Sequence, residues 1–183
     1  MKRVFGSWGA RTAPALLLLL CAAMSGLPSA RAAAPAAMGQ VRPSAKAVRI
    51  DISEAPIIDG DLSDPVWAKA GVIDKFTQKS PNPGEPATER TVLRILYDQN
   101  NLYFGFYAYD SHPDEIIPGS MERDGRLASA DSVALYIDPG QTRRNAYNFE
   151  LGASGGRTDE LELNNTTELR EWNTIWSGRA KRV

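Results

Sequence analysis

Trp172 and Trp176 stand four residues apart among polar neighbours, Glu171, Asn173 and Ser177. An indole exposed in such company offers a flat apolar surface on which the apolar face of a pyranose can stack, while polar groups at the rim read its hydroxyls. Asn148, in the run Tyr147-Asn148-Phe149-Glu150-Leu151, and Arg143 and Arg144 just before it supply groups of that kind. Two blander readings compete. Both tryptophans would serve equally well as packed core, and the three polar residues as a solvated strand surface.

The carboxylates suggest two other chemistries. Asp59 and Asp61 flank Gly60, and Asp110 and Asp138 each end a hydrophobic run where loops would gather. Hard oxygen ligands drawn from several loops are what calcium takes, so structural calcium is a candidate cofactor. Turn and capping aspartates explain the same residues, because no single loop carries the spacing of a calcium-binding loop. Glu150, Asp159, Glu160 and Glu162 could be paired for glycoside hydrolysis, yet nothing marks a pocket around them. His112 is the one histidine and Cys21 the one cysteine of the chain. A histidine triad or a zinc site therefore has too few members. The expectation is a binding domain with no catalytic centre of its own.

Charge and the N-terminus narrow the partners. Lys2, Arg3 and Arg11 precede an apolar stretch that includes five consecutive leucines, and no acidic residue appears before Asp51. Ala30 and Ala32 place small residues three and one before a cleavage point between Ala32 and Ala33, so residues 1–32 are expected to be a signal peptide. The stretch is short for a membrane span, which needs about 20 apolar residues. Leu20 before Cys21 does not suit a lipid-modified cysteine. Export to the periplasm, the outer membrane or the exterior follows. The whole chain carries 21 basic and 22 acidic residues; loss of the four basic residues in 1–32 leaves a net charge of −5. An acidic domain lacks the basic face that nucleic acid demands.

The elements that would position these residues are strands. Residues 33–46 are rich in Ala and Pro and form a flexible leader. Strands are predicted over 47–52, 91–97, 102–109, 131–138, 146–151 and 160–163, with a further start near Trp176. Asp98-Gln99-Asn100-Asn101 makes a four-residue hairpin loop between the second and third of these. Both faces of 102–109 are apolar, which predicts a central strand. Pro65 opens a single helical turn, capped by Ser63 or Asp64, that drives Trp67 into the core. Short strands broken by turn residues predict an all-β fold, an antiparallel β-sandwich over 47–183.

The run Ile58-Asp59-Gly60-Asp61-Leu62-Ser63-Asp64-Pro65-Val66-Trp67 resembles the opening signature of family 9 carbohydrate-binding modules and their DOMON-like relatives. The hairpin around Asp98 and the strand Asp131-Ser132-Val133-Ala134-Leu135-Tyr136-Ile137-Asp138 continue that pattern in order. Residues 84–91 (GEPATERT) and 143–147 (RRNAY) are similar to a branch in which such a module precedes a C-terminal domain of uncharacterised function in longer secreted proteins. The resemblance covers residues 50–183 and implies a β-sandwich, structural calcium in many members, and a chain that stops at least one strand short. It also implies a sugar clamped between two tryptophans. Ala128 stands near the first clamp position, Ala134 stands where an acidic residue is usual, and the second clamp position would lie past Val183.

Function is accordingly expected to be non-catalytic binding of a polysaccharide or cell-envelope glycan, in the service of polysaccharide breakdown. The alternative is a structural or interaction domain docking onto the C-terminal part of its own protein, through which alone it would meet the outer membrane. A glycoside hydrolase is the third reading.

Overall fold

The computed structural model describes residues 44–183, all within the unit Val41–Val183. The expectations for the signal peptide, the Ala32–Ala33 cleavage and the leader up to residue 43 lie outside the described residues. Eight strands form two four-stranded sheets, and helix is confined to three short 3₁₀ turns among those residues. The fold is all-β and its pairing is antiparallel at every contact but one. No helix among the described residues is long and apolar enough to cross a membrane.

The first sheet comprises β1 (Val48–Arg49), β2 (Gly71–Ile73), β3 (Thr91–Tyr97) and β4 (Leu102–Ala108). Aliphatic residues on both faces of β3 suit a strand flanked on both edges. It pairs along its length with β4, from Thr91↔Ala108 to Tyr97↔Leu102. Its other edge is shared by β1, parallel at Val48↔Leu96, and β2, antiparallel at Val72↔Arg94. The prediction of a central 102–109 strand is corrected here, since among the described residues β4 pairs with β3 alone. Tyr107 and Tyr109 are exposed, with ring centroids 4.6 Å apart.

Trp67 anchors this sheet. It sits on the 3₁₀ turn Pro65–Lys69, 3 % exposed, in a cluster with Ile50, Val66 and Leu96. The ring lies over Gly105 of β4, where an added Cβ would come within 3.1 Å of it and 2.8 Å of Leu62. Arg94, paired with Gly105, donates from Nη1 to the Trp67 carbonyl at 2.9 Å. The expected side-chain cap is absent: Asp64 Oδ2 accepts instead from the Ile57 N–H at 2.9 Å. Position 57 is outside the turn, so the carboxylate fastens the incoming loop rather than the turn itself.

The second sheet is a meander of β5 (Ser132–Ile137), β6 (Ala146–Gly152), β7 (Arg157–Leu163) and β8 (Thr167–Leu169). One face carries Val133, Leu135, Phe149, Leu151 and Leu161, following the two-residue alternation of strands. The strand expected near Trp176 does not form. That segment is held to the sheet by side chains. Buried Asp159 accepts from the Thr174 N–H at 2.7 Å and from Trp176 Nε1 at 3.1 Å, and pairs with Arg123.

Candidate functional site

The other face of the second sheet collects polar groups, because its residues occupy the alternate positions of every strand. The register sets Tyr136 of β5 opposite Asn148 of β6, and Asn148 opposite Glu160 of β7. Ala134 faces Glu150, and Glu162 faces Glu168 of β8. Tyr136 is 61 % exposed, whereas Asn148 is only 3 % exposed.

Hydrogen bonding on this face is unbalanced. Asn148 Nδ2 donates to Glu160 Oε1 at 2.8 Å, while its buried Oδ1 has no donor among the described residues. Ser132 Oγ donates to Glu150 Oε1 at 2.5 Å. Arg170 reaches Glu168 at 2.8 Å and Glu160 at 3.6 Å. Desolvation at its place on the face, and then the carboxylates of Glu160, Glu162, Glu150 and Glu168, push the Tyr136 hydroxyl above its ordinary value. Chemically this is a flat phenol beside a field of acceptors. It suits a ligand rich in donors.

The residues singled out in the sequence are dispersed over several places. Trp172 and Trp176 lie on the opposite, apolar face: Phe149 meets Trp176 at 5.5 Å and Trp172 at 6.3 Å between centroids, and Tyr147 meets Trp172 at 5.0 Å. Both indoles are half-buried, and Arg157 stands 5.6 Å over the Trp176 ring. Asn148 is therefore not on the same face as the tryptophans. Arg143 and Arg144 occupy the β5–β6 loop, where Arg143 N donates to Asp138 Oδ2. That bond holds the Asp138 carboxyl below its ordinary value. The carbonyls of Arg143 and Arg144 accept from Asn165, which ties this loop to the β7–β8 turn.

The aspartates serve separate loops. Asp59 Oδ1 accepts from Asp61 N at 2.8 Å, and Asp61 in turn accepts from Ser63 N at 2.9 Å and Lys181 Nζ at 2.7 Å. Asp110 Oδ1 accepts from His112 N at 2.7 Å. Among the described residues, one group of three ligand atoms lies within 4.8 Å, from Glu89, Asp110 and His112. It draws in a glutamate that the sequence did not single out, and Ser111 Oγ bonds to that glutamate and stands 3.1 Å from His112 Nδ1.

Tyr136, Glu168 and Arg170 were missed as site residues. The alternation Ser132-Ala134-Tyr136 was the signal available for the first; the others become neighbours only through the β7–β8 turn. Comparison of the chain with protein-family models, with curated proteins and with solved structures finds no match.

Proposed function

We propose that this chain is a non-catalytic carbohydrate-binding module of the β-sandwich type, part of a secreted protein, which lays a polysaccharide or cell-envelope glycan across the face bearing Tyr136 and Asn148. One observation carries the reading: an exposed aromatic ring stands directly across the strand pair from a buried amide oxygen that lacks a donor. A sugar offers a flat apolar face to the ring and hydroxyls to such acceptors. Glu150, opposite Ala134, supplies a carboxylate one strand away from where the resemblance leads one to expect it.

Affinity electrophoresis through gels containing xylan, soluble cellulose or peptidoglycan tests the proposal. The chain is expected to be retarded by at least one of them, and Tyr136→Ala to run free. Passage without retardation through all three would overturn it.

The second reading, docking onto the C-terminal part of the same protein, is favoured by a different place. Among the described residues β4 pairs with β3 alone, and Leu102 and Tyr107 of β4 and Tyr109 just after it are exposed; an unpaired strand edge with exposed apolar residues is suited to pairing with another segment.

A further inference from the structure

The acceptor field around Tyr136 constrains which glycan fits. Glu150, Glu160, Glu162 and Glu168 all rise from the face that carries Tyr136 and Asn148. One guanidinium, that of Arg170, stands among them, and it is shared by Glu160 and Glu168. Glu162 takes part in no ion pair among the described residues. Arg143 and Arg144 belong to the loop beyond the strand ends and not to the face.

Four carboxylates held on one sheet repel one another and are destabilising unless a cation joins them. Asn148 adds an independent sign of the same need. It is 97 % buried, its Nδ2 is occupied by Glu160, and its Oδ1 stays without a donor. An orphaned buried acceptor carries a desolvation cost that no hydrogen bond offsets. The face is thus short of donors and, with one guanidinium among four carboxylates, short of positive charge, and it carries a phenol ring, whose π-face attracts cations. After desolvation, which is the larger cause, the same four carboxylates help to raise the Tyr136 hydroxyl.

We infer that this face selects an amino-sugar glycan with free ammonium groups, the hydroxyls and ammonium donating to Asn148 and the glutamates while a ring face rests on Tyr136. This rests on the glycan reading above and sharpens it. Uronate, sulfate or phosphate groups would meet carboxylates and be repelled, and a fully N-acetylated chain would bring hydroxyls but no charge.

Calorimetric titration of the full chain with oligosaccharides of matched length separates these cases. The probes are β-1,4-linked glucosamine, N-acetylglucosamine and glucose, and α-1,4-linked galacturonate, at a mildly acidic pH where the amines are protonated and glutamates ionised. Glucosamine is expected to bind about tenfold or more tighter than the acetylated chain, with the advantage shrinking as salt rises. Glu162→Gln should weaken glucosamine binding about two- to fivefold, as loss of an exposed ion pair does, and N-acetylglucosamine binding less, because glutamine keeps an acceptor for hydroxyls and loses only the charge. Unchanged circular dichroism of that variant excludes a folding defect. Equal affinity for the acetylated and free-amine chains overturns the charge selection while the glycan reading stands. Silence with all four sugars, or binding only to a lysine-rich peptide used as a cationic control, overturns both.

Discussion

Asp98 uses both oxygens to close the β3–β4 hairpin. Oδ1 accepts from the Asn100 and Asn101 N–H groups at 2.7 and 2.8 Å, and Oδ2 accepts from the Tyr103 hydroxyl at 2.6 Å. These donors, the Tyr103 hydroxyl foremost, lower its pKa to about 2 from the ordinary 3.8. A carboxylate depressed on folding contributes stability that is present above its unfolded pKa and is lost as pH falls through the folded one. The window here runs from about pH 4 down to about pH 2. Tyr103→Phe removes the largest cause and should narrow it. Urea midpoints of wild type and variant are expected to differ most near neutral pH and to converge below about pH 2. A gap that stays constant across the whole range would show that Tyr103 acts through packing alone.

Trp67 carries the equivalent weight for an element, since the turn Pro65–Lys69 enters the buried cluster with Ile50 and Leu96 through Trp67 and Val66. Trp67→Ala is expected to cost about 3–5 kcal/mol, the usual cost of deleting a buried aromatic. Trp67→Phe should cost clearly less, because the indole Nε1 is buried with no acceptor among the described residues and its removal sacrifices no hydrogen bond there. Equal losses in urea unfolding would mean that the outer indole ring, against Gly105, supplies most of the contact. This anchor was legible in the sequence because Pro65 opens a short turn ahead of Val66 and Trp67, and β3 and the Asp98 hairpin because a long apolar run there meets turn residues at fixed offsets. Strands β2 and β8 were not, since three residues hold barely one period of alternation. Nor could periodicity place β4 at an edge: it reports which faces are apolar and says nothing of how many neighbours a strand has. The site was half legible for a related reason. Asn148 sits in a clear strand, so its face follows from alternation, whereas Trp172 and Trp176 lie in a segment without regular structure, where a spacing of four assigns no face.

At the scale of the whole molecule, the C-terminal segment links the two sheets. Its tryptophans lie on the second sheet. Farther on, Lys181 bonds to Asp61 in the loop ahead of Trp67, and Arg182 bonds to the Pro113 carbonyl and to Asp114. Gly60 makes this approach possible. Its φ of +90° suits glycine, and an added Cβ would stand 2.9 Å from the Ala180 carbonyl carbon and from Lys181. Gly60→Ala therefore meets two penalties, backbone strain of roughly 1–3 kcal/mol and a clash with the tail's main chain. The Lys181–Asp61 pair is exposed and screened, so Lys181→Ala should change the unfolding midpoint little. If backbone contact is what holds the tail, Gly60→Ala will speed tryptic cleavage after Arg179 and Arg182 while the far-ultraviolet signal of the sheets persists, and Lys181→Ala will not. Faster cleavage in Lys181→Ala with Gly60→Ala unaffected would assign the link to the ion pair instead.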